Sequence, residues 1–293
     1  MYRNSPRPIA GETRVARRTA GRPAGRTDRQ PTITVIIPTK NEADNLLAVL
    51  PALPPVHEVI LVDGNSTDGT IEAARSVLPD IKVVTQTRKG KGNALACGFN
   101  AATGDVIVMF DADGSADPAE IPAYVEALVN GADFAKGSRF IKGGGSDDIT
   151  LLRHAGATGL HMLVNITFGQ RFSDLCYGYN AFWTDLVPSL DLPDTAAPSP
   201  AGGMIWGDGF EIETVINLRM VEAGVRIKEV PSVERPRMYG ESNLRTFVDG
   251  FRVLRTIISE RRRATGTRRR GPVGSPVDHD EAAEGINASS LIA

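Results

Sequence analysis

Between residues 31 and 118, four short apolar runs alternate with helical patterns, and each run ends in a polar cluster. TITVIIPT (32–39), HEVILVD (57–63), IKVVTQT (81–87) and DVIVMF (105–110) read as buried strands, the first stopped by Pro38. NEADNLLAVLPAL (41–53), TDGTIEAARSVL (67–78) and GNALACGFNAA (92–102) lie between them and carry helical spacing. This alternation predicts an α/β fold, a mostly parallel central sheet with helices on both faces. Ligands of such sheets bind beyond the carboxyl ends of the strands. Those ends carry PTKNE, VDGNSTDGT, RKGKG and DADGS, so four polar clusters converge on one rim.

The second half is less regular. DFAKGSRF (133–140) reads as a short strand, LLRHAGATGLHMLVNITFG (151–169) as a helix, and FSDLCYGYNAFW (172–183) is expected to contain a strand. Residues 188–204 form a Pro- and Ala-rich loop, 207–224 a helix and 225–234 a strand. The stretch 244–263 is an amphipathic basic helix with Leu244, Phe247, Val248, Phe251, Leu254, Ile257 and Ile258 on one side. That side is expected to pack on the core, with a membrane surface as its rival occupant.

Residues 1–30 lack an apolar period and are expected to be a disordered basic tail, residues 31–258 the folded domain, and 259–293 a flexible C-terminal tail. The first tail carries eight Arg against Glu12 and Asp28, and the chain as a whole has net charge −2, which leaves the body acidic. A basic tail on an acidic body argues against a nucleic-acid-binding core and fits contact with anionic lipid or polyphosphate. No apolar run approaches the roughly 18 residues of a spanning helix. Cys97 and Cys176 stand in unrelated contexts and read as reduced thiols, so the expected location is cytoplasmic, at the inner face of the plasma membrane if lipid is contacted.

The chemistry concentrates in VMFDADGSADP (108–118), where Asp111, Asp113 and Asp117 follow an apolar run. A strand end and helix N-cap would account for them; so would a cation held by Asp111 and Asp113. A calcium loop of the EF-hand type fails, because the sixth position from Asp111 is Ala116 and the twelfth Pro122. Mg²⁺ or Mn²⁺, held by one or two carboxylates and completed by a substrate diphosphate, fits better. Asp63 could accept a hydrogen bond from a base or ribose, whereas Asp68 has a helix-capping alternative. RKGKG offers Arg88, Lys89 and Lys91 to phosphate but matches neither phosphate-binding glycine fingerprint. Thr39, Asn41 and Glu42 could edge a base or cap a helix. Tyr177, Tyr179, Phe182 and Trp183 could stack on a sugar or line a prenyl groove, although core packing is the commoner use.

PTKNEADNL, VDGNSTDGT, KGKGNAL, DADGSADP, GSRF and RPRMYGESNL, in this order across about residues 31–258, resemble a family 2 inverting glycosyltransferase, and within it the dolichol- or polyprenol-phosphate sugar synthases. The resemblance implies a GT-A type nucleotide-diphospho-sugar transferase fold. It places Pro38, Thr39, Glu42 and Asp63 at the nucleotide base and ribose, and Lys91 by the diphosphate. Asp111 and Asp113 would hold Mg²⁺ or Mn²⁺, Arg237 and Ser242 would close over the diphosphate, and Arg139 and Arg153 would face the acceptor phosphate. Several positions depart from the pattern: Gly64 replaces a second acid, Asn243 an expected lysine and Ser115 a longer amide ligand, while HAGAT follows Arg153. The implied reaction moves a hexose from a nucleotide diphosphate sugar to a polyprenyl phosphate. A soluble hydroxyl acceptor would need a carboxylate base, for which Asp208 and Glu211 in WGDGFEIE are the candidates; an N-cap and first-turn acid would explain them equally. A non-catalytic nucleotide-sugar-binding partner is the remaining alternative.

Overall fold

A computed structural model of the chain describes residues 29–147, 149, 151–199, 203–240 and 246–270. Its main sheet is built from β1 (Ile33–Thr39), β2 (Glu58–Asp63), β3 (Lys82–Thr85), β4 (Val106–Met109) and β5 (Phe134–Ser138), followed by β7 (Asn180–Trp183) and β8 (Ile227–Pro231). A two-residue ladder joins β6 (Gly145–Ser146) to β9 (Val233–Glu234). The strand order is β3-β2-β1-β4-β7-β5-β8, parallel throughout except for β7, which runs against both neighbours. The strand expected within 172–183 is thus the four residues NAFW.

Side chains alternate across a strand, and both sheet faces use the alternation. Val35, Ile37, Leu61, Val106 and Val108 enter one core with helices α1 (Ala43–Val49), α2 (Thr70–Val77) and α4 (Ile121–Val129). Ile36, Ile60, Val62, Ile107 and Met109 enter the opposite core with α3 (Lys91–Ala101) and α6 (Ile212–Glu222). That two-sided burial is why these strands read as continuous apolar runs. Gly98 lets α3 lie close on the sheet, since a Cβ there would stand 2.5 Å from the Ile36 side chain. Thr39 pairs with Asp63 and Asp63 with Thr85, which brings the carboxyl ends of the first three strands level.

A third cluster joins α5 (Leu151–Phe168) and α7 (Thr246–Arg270) through Val164, Phe172, Leu175, Leu218, Val253 and Ile257. The expected boundary at 258 falls inside α7: Glu260 is buried, and its carboxylate receives both Nε and Nη2 of Arg219 on α6, at 3.1 and 3.0 Å. Residues 259–270, expected to begin a flexible tail, are therefore helical. The packed side of α7 also differs from the expected stripe. Val253, Thr256, Ile257 and Glu260 face inward, while Phe251 and Ile258 are exposed; Leu244 lies outside the described residues. Among the described residues no helix is long and apolar enough to cross a membrane.

Glu260→Ala strands the Arg219 charge in the interior and is expected to cost about 3 kcal/mol in urea unfolding, whereas Phe251→Ser changes stability by less than about 0.5 kcal/mol.

Candidate active site

Two loops interlock at the ends of β1 and β2. Asn41, in the left-handed region at φ +57°, donates its N–H to Ser66 Oγ and accepts from the Thr67 N–H, each at 2.9 Å. Thr70 Oγ1 accepts from the Glu42 N–H and Asp68 Oδ2 from the Ala43 N–H, so the second loop caps α1. Asp68 Oδ1 also accepts from the Thr70 N–H, which makes Asp68 a capping residue at two helices. Asp63 is buried; its Oδ2 accepts from the Ser66 N–H, while Oδ1 is enclosed without a hydrogen-bond partner. A buried acceptor left open is costly, and a ligand N–H or O–H would satisfy it.

RKGKG serves packing more than expected. A Cβ on Gly90 would stand 2.0 Å from the Asp208 carbonyl oxygen, and one on Gly92 1.8 Å from that of Gly207. These glycines admit the 207–208 backbone, and the Gly92 N–H donates to the Asp208 carbonyl at 2.7 Å. Arg88, expected at phosphate, is a staple: Nε and Nη2 clasp Asp208 at 2.8 and 2.9 Å, and Nη1 donates to the carbonyls of Asp194, Thr195 and Ala197.

The aspartates of DADGSADP divide their work. Asp117 accepts from the Ala119 N–H at 2.9 Å and pairs with Arg235, so it is the cap. Asp111 Oδ1 lies 2.6 Å from Lys91 Nζ, which is also 2.7 Å from Glu213 Oε1. Burial works against the Lys91 charge, yet the pull of Asp111 and then Glu213 outweighs it and holds the pKa above the ordinary lysine value. Asp113 Oδ1 accepts from both the N–H and the hydroxyl of Ser115, at 3.0 and 2.7 Å. Its Oδ2 lies 3.6 Å from Arg237 Nη1.

Residues 235–239 form a strap across these groups. The Arg235 N–H donates to the Ser115 carbonyl, the Met238 N–H to that of Asp113, and the Tyr239 N–H to Asn45 Oδ1. Arg237 Nη2 reaches Glu42 Oε2 at 2.5 Å. Beneath the strap lies a cavity of about 590 Å³. Pro38, Thr39, Glu42, Lys91, Asp111, Asp113 and Arg237 all line it, together with Gly64 and Lys89.

Other expected residues sit elsewhere. Asp208 is clasped by Arg88 and accepts from the Ile205 N–H; Glu211 Oε1 accepts from the Gly207 and Gly209 N–H groups. Neither lines the described cavity, since both hold the turn that admits α3. Arg139 gives Nε and Nη2 to Asp174 and Nη1 to Glu234, and its guanidinium lies 4.9 Å from the Tyr177 ring centre. Arg139 is thus saturated by carboxylates. The side chain of Arg153, and Ser242 altogether, lie outside the described residues. Glu213, not singled out from the sequence, completes the Lys91 bridge; its signal was an acid at the start of α6, two positions after Glu211. Gly178 backs that bridge, with a Cβ there 3.1–3.3 Å from Lys91 Nζ, Asp111 Oδ2 and Glu213 Oε1.

Asp111 and Asp113 present hard oxygen donors to one cavity, as a divalent ion of the magnesium type requires. Among the described residues no third His, Cys, Asp or Glu joins them, so a substrate oxygen or water would have to complete the shell.

Residues 34–187 match the family profile described as "Glycosyl transferase family 2". The chain is 32% identical over 232 residues to an undecaprenyl-phosphate mannosyltransferase of Micrococcus luteus, covering 76% of this chain and 91% of that protein. It is 31% identical over 223 residues to a dolichol-phosphate mannosyltransferase of Pyrococcus furiosus, covering 73% of this chain but only 59% of that longer protein. Among solved structures, glucosyl-3-phosphoglycerate synthase from Mycobacterium tuberculosis, in complex with Mn²⁺, UDP-glucose and phosphoglyceric acid, superposes with TM-score 0.61 at 22% identity, covering 79% of this chain and 80% of that one. This likeness establishes the GT-A fold.

Gly92→Ala is expected to cost about 1–3 kcal/mol in urea unfolding, because the clash is with backbone. Gly156→Ala, where a Cβ meets nothing within 4 Å, should instead stabilise its helix by up to about 1 kcal/mol.

Proposed function

The chain belongs to glycosyl transferase family 2, and we propose that it transfers a hexose, with inversion, from a nucleotide diphosphate sugar to a polyprenyl phosphate in a reaction that requires Mg²⁺ or Mn²⁺. The observation that carries this reading is the convergence of Lys91, Asp111, Asp113 and Arg237 on one cavity beside the open acceptor of Asp63. Pro38, Thr39, Glu42 and Asp63 would hold the nucleoside, with Asp63 Oδ1 accepting from a base or ribose donor. Lys91 and Arg237 would lie along the diphosphate. Asp111 and Asp113 would hold the divalent ion, which when bound supplies positive charge to the departing nucleoside diphosphate. Lys91 adds fixed charge of the same sign without reorganising during the reaction, because its two carboxylates already orient it.

The carboxylates support that acceptor. A hydroxyl nucleophile needs a base with a free lone pair toward it. Asp208 and Glu211 are both turned to other partners, away from the described cavity. A phosphate oxygen is ionised already and needs no such base. The two mannosyltransferases this chain resembles carry polyprenyl-type phosphates in their names, which supports the same acceptor class. Arg139 would then act by fixing the acceptor end of the sheet through Asp174, and Arg153 and Ser242 keep their proposed places at acceptor and diphosphate.

The test is an extraction assay with labelled UDP-glucose, GDP-mannose or UDP-N-acetylglucosamine, polyprenyl phosphate and Mn²⁺ or Mg²⁺. Label is expected to enter the organic phase with one donor, and Asp113→Ala should lower that rate at least about 100-fold while the protein stays folded. Donor consumption with product confined to water, on a hydroxyl acceptor, would overturn the lipid-phosphate reading.

A further inference from the structure

Phe210 lines the cavity, and nothing in the transfer reaction so far uses it. Its side chain is partly exposed and belongs to none of the three apolar clusters. An aromatic ring at a cavity wall, outside the core, is apolar area without a partner inside the protein.

The turn that carries the ring is held from several directions. Glu211 Oε1 accepts from the Gly207 and Gly209 N–H groups at 3.2 and 3.3 Å. The Asp208 carboxylate is clasped by Arg88 and accepts from the Ile205 N–H. The Asp208 carbonyl receives the N–H groups of Gly92 and Asn93 at the start of α3, where Gly90 and Gly92 leave room for it. Two buried carboxylates, one arginine and two glycines thus fix residues 207–211, of which Phe210 alone lines the cavity. Phe210 stands three residues before Glu213, which meets Lys91, which meets Asp111. From Asp111 the open acceptor of Asp63 is reached in the other direction, from β4 across β1 to β2.

We propose that Phe210 is the surface on which the hexose of the donor stacks. The inference rests on the transferase reading and deepens it by assigning the sugar end of the donor. A pyranose carries most of its hydroxyls around its edge and turns C–H groups to its faces. An aromatic ring covers such a face without stripping water from a polar group, which leaves the hydroxyls free for other contacts. A nucleobase is the other planar partner for an aromatic ring, but the unsatisfied acceptor suited to a base or ribose belongs to Asp63, two strands from Asp111. Asp208 and Glu211 gain a role by the same argument. They are positioning residues, because they hold the turn that aims the ring.

The test is calorimetric titration of the full chain with Mg²⁺ and no acceptor, comparing UDP with UDP-glucose and GDP with GDP-mannose. Phe210→Ala is expected to weaken the sugar nucleotide at least about fivefold while the bare nucleotide stays within about twofold, at unchanged melting temperature. Phe210→Tyr, which keeps the ring, should restore the sugar nucleotide to near the wild-type value. Equal weakening of both ligands by Phe210→Ala would put the ring against the base or diphosphate, and no weakening of either would put it outside the donor site. Each of these results overturns the stacking and leaves the transferase reading standing. Failure of the wild type to bind any of these nucleotides would overturn the transferase reading, and the stacking with it.

Discussion

One ammonium group ties the site together. Lys91 Nζ stands between Asp111 and Glu213, and these three residues begin α3, follow β4 and open α6. Removing Lys91 leaves the buried Glu213 carboxylate without its partner, a loss of several kcal/mol in comparable settings, whereas removing one acid still leaves Lys91 paired with the other. The bridge therefore fixes the relative placement of two helices on one sheet face and the strand end between them. Gly178 is part of the same constraint, because a Cβ there would crowd all three bridge atoms at 3.1–3.3 Å. The cavity inherits its rigidity from this contact, and the loops at β1 and β2 add theirs by capping one another.

The first half of the fold was legible because a sheet buried on both faces writes its strands as continuous apolar runs. The bounds and direction of β7, expected only as a strand somewhere within 172–183, were not, since its antiparallel pairing is set by β4 and β5, distant in sequence. The rim residues Thr39, Glu42, Asp111 and Asp113 were legible from their position at strand ends. Asp208 and Glu211 looked like candidate bases because an acid entering a helix has one appearance whether it caps, clasps or reacts. The partner that decides the matter for Asp208 is Arg88, 120 residues away. On α7 the apolar stripe misled for a related reason: the covered side includes Thr256 and Glu260, and the uncovered side includes Phe251 and Ile258.

Arg88 and Arg139 illustrate how a cation's role is set by what already surrounds it. Each was a reasonable phosphate ligand by sequence, and each has a bidentate carboxylate partner plus further acceptors on its remaining nitrogens. Such arginines act on geometry, holding the 194–208 loop in one case and the β5 end in the other. Lys89, exposed, and Arg237, on the strap, are placed differently, since both line the cavity.

The strap couples two events that would otherwise be separate. Its backbone N–H groups hold the carbonyls of Asp113 and Ser115, and Arg237 shares the Asp113 and Glu42 carboxylates. A divalent ion held at Asp113 would therefore compete with Arg237 for one anionic group. Reciprocity would then apply: whatever drew Arg237 off Asp113 would strengthen cation binding there by the same factor with which the cation loosened Arg237. Cation and strap would then be two readings of a single equilibrium.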